Sequence, residues 1–254
     1  MEQTGGADME QCFRILNYNV QGLSAEQMDE KLEMFFQDEQ LQSILFLSVD
    51  ILEQVMRQED YEQEISKFQM LLPGEELVLP KQTMLAFQEE KLMFNEAYLQ
   101  QILGYLEKCG RTIYLVGDQL EKLHLLMEYC KEYYPGLLCV GSFIGDDEMD
   151  DASLLNDINV TCPDLILTAI APQLQEKWIL CNLDKLNGQV CVGADVLVQA
   201  IVKDYIWMHE KEEHNFLYNR MQRCKENFIE SIRGRIFRSD YEHYMKQRDA
   251  KEKG

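Results

Sequence analysis

Between residues 111 and 195 the chain alternates short, β-rich apolar runs with helical stretches, and this rhythm limits the fold more than any other feature. Arg111-Thr-Ile-Tyr-Leu-Val116 is branched, aromatic and apolar, and Gly117-Asp118 punctuates its end. Gln119 to Tyr134 follows, with Leu120, Leu123, Met127 and Cys130 at helical spacing and Pro135-Gly136 as the stop. Leu137 to Val140 is a second short strand, ending at Gly141. A helix near Ala152–Val160 leads to a third strand, Leu165–Ile170, and then to a helix in "IAPQLQEKWI". Gln189 to Val192 closes the series at Gly193. Strands separated by helices of this length form βαβ units, so the expectation is an α/β protein with a parallel sheet and right-handed crossovers.

The first half reads less regularly. Ser24-Ala-Glu-Gln27 is a capping box opening an amphipathic helix through Phe36. Ser43 to Val49 is a buried-strand candidate, with a helix beginning near Asp50. Phe68–Leu72 and Leu77–Leu79 bracket a turn at Pro73-Gly74, and a helix starting near Asn95 runs to Lys108 before Gly110. No repeat, low-complexity segment or linker interrupts the chain.

Charge divides it. The net charge is −21 over 254 residues, which argues against nucleic acid as a general partner, because a polyanion would be repelled. Residues 1–202 hold 12 Lys and Arg against 35 Asp and Glu, whereas residues 203–254 hold 12 against 10. The expected organisation is therefore an acidic α/β domain at 1–202 and a helical C-terminal appendage at 203–254. The eight cysteines are scattered without a C-x-x-C pair, several inside apolar runs, and read as reduced, buried thiols of a cytoplasmic protein. No histidine spacing suggests a metal site. The N-terminus lacks the apolar core of a secretory signal, and no run reaches the ~18 apolar residues of a membrane span.

In open parallel sheets, ligands bind beyond the carboxyl ends of the strands. Those ends carry Gly117 and Asp118, Gly141, Ser142 and Phe143, Ala171-Pro172 with Gln175 and Glu176, and Gly193 and Asp195. Of these, Gly117, Asp118, Ser142, Gln175, Glu176, Gly193 and Asp195 are the candidate substrate-binding residues, although glycines also end strands for purely structural reasons. Gly-x-Gly-x-x-Gly and P-loop patterns are absent, so no dinucleotide or other cofactor has motif support. The acidic run Asp146–Asp151 lacks the glycine and final glutamate of a calcium loop and reads as solvated. His209 and His214 read as surface residues.

The ordered series "RTIYLVGD", "YPGLLCVGSFIG", "INVTCPDLIL", "IAPQLQEKWI" and "VCVGADVL" resembles the bacterial WecG/TagA/CpsF glycosyltransferases. That family reads strand–Leu-Gly-Gly, helix, Tyr-Pro-Gly-Leu, Gly-x-x-x-Gly-Tyr-Phe, Pro-Asp-Ile-Leu, then Gly-Ala-Pro-Lys-Gln-Glu-x-Trp. Here the last signature carries one extra residue, with Ala171-Pro172 followed by Gln175-Glu176-Lys177-Trp178. "RILNYNVQGLSAEQMDEKLEMFF" resembles the family's opening strand and helix. The resemblance implies a Rossmann-like, metal-independent, inverting enzyme that moves an N-acetylhexosamine from a UDP-sugar to a polyprenyl-linked saccharide acceptor in cell-wall or capsule synthesis. It also implies a basic C-terminal appendage that reaches the inner face of the membrane. Arg220–Arg238 has six basic residues against two acidic, with Met221, Cys224, Phe228, Ile232 and Ile236 at helical spacing. Such a helix can lie on an anionic leaflet or pack its apolar stripe on the body, and both readings stay open.

The departures fall on the polar positions. Leu-Pro-Asp-Gly reads Leu72-Pro73-Gly74-Glu75, so a glycine stands where the family has its catalytic aspartate. Glu75 is the candidate relocated base, starting from a different backbone vector. Thr-x-Asn reads Phe46-Leu47-Ser48, and Arg-x-x-Gly-x-Asp reads Leu92-Met93-Phe94-Asn95-Glu96-Ala97. The second glycine of Leu-Gly-Gly is Asp118, with no lysine evident to offset its repulsion of a diphosphate. The signature's lysine gives way to Gln173-Leu174, and of the Arg-Ala-Pro after the last strand only Val202-Lys203 remains. Scaffold residues kept and substrate-facing residues changed describe a divergent member with weak or no activity, or a homologue kept for binding a sugar nucleotide or a protein.

Overall fold

The computed structural model describes residues 11–79, 87, 89, 91–145, 151–210 and 216–252. The run Asp146–Asp150, His214 and the side chains of Met221, Cys224 and Phe228 lie outside that description.

The expected parallel sheet is present and has six strands. They are β3 (Gln42–Leu47), β4 (Met70–Pro73), β5 (Thr112–Gly117), β6 (Leu138–Ile144), β7 (Leu165–Ala169) and β8 (Val190–Gly193). Their order is β4-β3-β8-β7-β5-β6, with every neighbouring pair parallel. Thus β3 and β4 form one flank, β5 and β6 the other, and β7 and β8 return to fill the centre.

Helices cover both faces. α1 (Ala25–Phe35), α4 (Ala97–Cys109), α5 (Leu120–Tyr133) and α8 (Asp195–Glu210) share one core with Ile44, Phe46, Ile113 and Leu115. α2 (Val49–Arg57), α3 (Glu59–Ile65), α6 (Asp151–Thr161), α7 (Leu174–Asn182) and α9 (Phe216–Glu252) lie on the other, with Leu45, Leu47, Tyr114 and Val116. Successive strand residues therefore feed opposite cores, which is why "ILFL" (44–47) is apolar throughout rather than alternating. The capping box forms as read, Ser24 accepting from the Gln27 amide and Gln27 from the Ser24 amide.

Some expectations change. The opening segment is an antiparallel hairpin, β1 (Gln11–Ile15) with β2 (Tyr18–Gly22), outside the main sheet. Residues 76–78 form a single 3-10 turn. β6 runs on to Ile144, well past Val140. Cys130 and Cys191 are buried, and burial pushes both thiols up to about 12, but Cys12, Cys109, Cys139, Cys162 and Cys181 are free and exposed. Position 203, where the charge shifts, lies inside α8, whose Tyr205 packs into the core.

α9 spans 37 residues, ~55 Å at 1.5 Å per residue. Its Phe237 is buried, and Tyr241, Tyr244 and Met245 pack against the same core. Arg248 lies 3.4 Å from Glu62. The opposite side leaves Lys225, Ile229, Ile232, Arg235, Ile236 and Arg238 exposed. No helix among the described residues is long and apolar enough to cross a membrane.

Candidate functional site

All six strands end on one side, and the chain's polar signature residues gather there because each follows a strand terminus. At the centre is a buried ionic cluster. Lys122 Nζ lies 2.7 Å from Asp118 Oδ1 and 2.6 Å from Asp195 Oδ1. Only 7% of the lysine and 3% of Asp195 are exposed. Asp118 leaves β5, Lys122 sits in the first turn of α5, and Asp195 opens α8 after β8. Asp118 Oδ2 also accepts from the Ala171 amide at 2.7 Å, and Asp195 Oδ2 accepts from Gln199 Nε2 at 2.6 Å. Burial pushes the Asp195 carboxyl up, and Lys122 and Gln199 offset part of that effect.

Gln175 extends the cluster. Its Oε1 accepts from Thr168 Oγ1 at 3.1 Å and from the Asp195 amide at 3.3 Å. Its Nε2 donates to Glu176 Oε1 at 3.3 Å. Gly193 exists for this packing: a β-carbon there would stand 3.0 Å from Gln175 Nε2 and 2.8 Å from Leu45 Cδ1.

The extra residue of the signature has a structural consequence. Gln173 takes φ 73° and ψ −44°, a strained positive-φ geometry for a side-chain-bearing residue, immediately before α7. Gln173 and Glu176 form a reciprocal capping box there, the Gln173 amide donating to the Glu176 carboxylate. Glu176 Oε2 also accepts from Tyr61 OH at 2.8 Å. Burial pushes this carboxyl up, and the hydrogen bonds from Tyr61, Gln173 and Gln175 counter it. The polar residues of "IAPQLQEKWI" thus hold an overlong loop onto a helix N-terminus.

On the other flank, Gly74 and Glu75 follow β4. A β-carbon on Gly74 would meet Val196 Cγ1 at 2.7 Å, Leu47 O at 2.9 Å and Phe46 Cβ at 3.2 Å. Glu75 turns away from that spot. Its Oε2 accepts from the Val49 amide, at the N-terminus of α2, at 2.6 Å, and its Oε1 lies 3.5 Å from Arg233 Nη1 on α9. Arg233 reaches Asp50 at 2.7 Å as well. Ser48 caps α2 by accepting from the Ile51 amide.

Asn95, standing where the resemblance puts a glycine, adopts φ 52°, a backbone conformation that suits glycine and that asparagine tolerates best among the others.

The structure therefore brings together Asp118, Gln175, Glu176, Gly193 and Asp195, with Gly117 at the end of β5 beside them. Glu75 is engaged separately by α2 and α9. Ser142 faces solvent on β6, two residues before its end, and no described hydrogen bond ties it to the cluster. Lys122 and Arg233 are the residues that sequence reasoning passed over. Lys122 corrects the expectation that no lysine offsets Asp118. Its signal was present: it precedes Leu126 by four residues, so it stands on the buried stripe of α5. Among the described residues no group of three or more His, Cys, Asp or Glu could hold a metal ion.

The model of the glycosyl transferase WecG/TagA/CpsF family matches residues 13–202, which take in the whole sheet. No curated protein matches the chain.

Proposed function

The chain belongs to the WecG/TagA/CpsF glycosyltransferase family, and from that premise we propose that it is a divergent member in which sugar transfer is weak or absent. Membership implies glycosyltransferase chemistry in cell-surface polysaccharide synthesis, with a sugar-nucleotide donor and a lipid-linked acceptor. The observation that carries the proposal is Gly74. At the position matching the family's aspartate there is no room for a β-carbon, because Val196 and the Leu47 carbonyl fill the space. The family's base is missing, and a side chain cannot be restored there without moving backbone.

The rest of the edge supports the same reading. Glu75, the nearest carboxylate, has one oxygen on a helix N-terminus and the other beside a guanidinium. A general base must come within about 3 Å of the proton that it takes, whereas both oxygens of Glu75 are already positioned by α2 and α9. Between β5 and β8, where a diphosphate would approach, Asp118, Lys122 and Asp195 form a cluster of net charge −1. The lysine that could receive phosphate is held by two carboxylates, and an anion would meet the negative remainder. The positive φ of Asn95, at a position where the family has glycine, supports a retained scaffold with changed side chains.

The exposed face of α9, with three isoleucines among Lys225, Arg235 and Arg238, suits peripheral contact with an anionic leaflet at the cytoplasmic side. Cosedimentation with anionic and neutral vesicles tests this part. Equal binding to both, or none, counts against it.

Transfer itself is tested by incubating the chain with UDP-N-acetylhexosamines and a lipid-linked N-acetylglucosamine acceptor, beside calorimetric titration with UDP. Little or no turnover is expected. Robust turnover abolished by Glu75→Gln would overturn the proposal and identify Glu75 as a relocated base. Turnover indifferent to Glu75→Gln would put the active site elsewhere. Heat of UDP binding without turnover would mark a sugar-nucleotide-binding homologue.

A further inference from the structure

The two edges of the sheet are finished differently. At one, β4 has four residues, all buried, and the β1–β2 hairpin packs alongside it. At the other, β6 is the longest strand, with seven residues, and no described residue pairs with its outer backbone. Leu138 is 50% exposed, Val140 37% and Ile144 43%. α6, which packs beside β6, adds the exposed Val160.

Unpaired edges are usually guarded by charge, proline, shortness or bulges. β6 has one bulge, where its register against β5 slips between Cys139 and Gly141 and leaves Val140 unpaired. Within the strand itself no other guard is described. Residues 137–145, "LLCVGSFIG", contain no Asp, Glu, Lys, Arg, His or Pro in a chain of net charge −21.

That contrast selects the occupant. Two copies of so acidic a chain repel wherever their charged surfaces face each other. They meet without like-charge contact along an uncharged strand, and an antiparallel pair of identical strands is self-complementary about a twofold axis. A charged partner would find no counter-charge to read in this strand. We infer that the chain forms an isologous dimer by antiparallel pairing of β6 with β6, joining two six-stranded sheets into one. Leu138, Val140 and Ile144 supply the apolar contacts across the seam, and Val160 extends them. The inference is independent of whether the chain transfers sugar.

Sedimentation of the full chain at micromolar concentrations tests it. The expected species has twice the 29.8 kDa of the chain. Its affinity should rise with salt, because added ions screen the overall repulsion while the seam holds no ion pairs to weaken. Val140→Lys and Ser142→Lys, made separately, bring like charges together at the seam and should weaken the dimer roughly ten-fold or more. Met34→Lys, at an exposed position of α1, should leave it intact, and circular dichroism melting checks that each variant is folded. A monomer at all concentrations overturns the inference, as does a dimer unchanged by both β6 lysines or one disrupted by Met34→Lys.

Discussion

The ammonium of Lys122 stands 2.6 Å from Oδ1 of Asp195, although 73 residues separate them, and the same ammonium holds Asp118 at 2.7 Å. One buried cation thereby ties the ends of β5 and β8 and the start of α8 together. Removing a single partner from such a group leaves charge without compensation. Lys122→Met should destabilise the fold by about 3–5 kcal/mol in urea titration. The triple variant Lys122→Met, Asp118→Asn, Asp195→Asn should recover much of that loss, since no ion remains buried. A single variant of wild-type stability would show that the cluster contributes nothing net.

Glu176 gives a pH dependence. Its folded-state pKa is raised by burial, so the fold binds a proton that the unfolded chain would release. That contribution is complete below the ordinary glutamate range, ~4.3, and is lost as pH rises through the raised value. Glu176→Gln keeps an acceptor for Tyr61 and the Gln173 amide without the charge. The melting temperature of Glu176→Gln relative to wild type should climb as pH rises from the acid side toward neutrality. A constant difference across that range would refute the assignment.

Gly74 is limited by space. Gly74→Ala drives a methyl against Val196 and the Leu47 carbonyl, an overpacking that typically costs about 1–3 kcal/mol. Gly74→Asp should be destabilised at least as much and should gain no transfer activity, because the Thr-x-Asn and Arg-x-x-Gly-x-Asp side chains are also changed. Measurable transfer by Gly74→Asp alone would mean that the missing aspartate was the only defect.

The docking of α9 depends on Phe237, buried beneath the helix. Phe-to-Ala changes at full burial cost about 3–5 kcal/mol, and here the loss is capped by the docking energy of one helix. Hydrogen exchange of Phe237→Ala should show α9 amides losing protection while β3, β5 and β7 keep theirs. Loss of protection throughout the sheet would make α9 part of the cooperative core.

What was legible in the sequence was local. The strand at Thr112–Gly117, the Ser24 capping box and the helix of Leu120–Tyr133 each depend on side-chain period and on neighbours within four residues. The parallel arrangement followed as well, because strands separated by helices cannot pair as hairpins. The ordered signature from Arg111 to Asp195 pointed to the carboxyl edge and to most of the residues that meet there.

Contacts between distant segments decided the rest. Nothing near Lys122 announces Asp195, and nothing near Glu75 announces Arg233, 158 positions away. The sequence by itself determined the elements, their parallel sense and the family, since periodicity, caps and ordered motifs are written along the chain. Only the tertiary structure decided that Glu75 is engaged by α2 and α9, that Gly74 has no room for a side chain, and that α9 lies on the body with a basic, apolar face outward. Those outcomes depend on which atoms the fold brings within about 3 Å, the range over which hydrogen bonds and steric exclusion act.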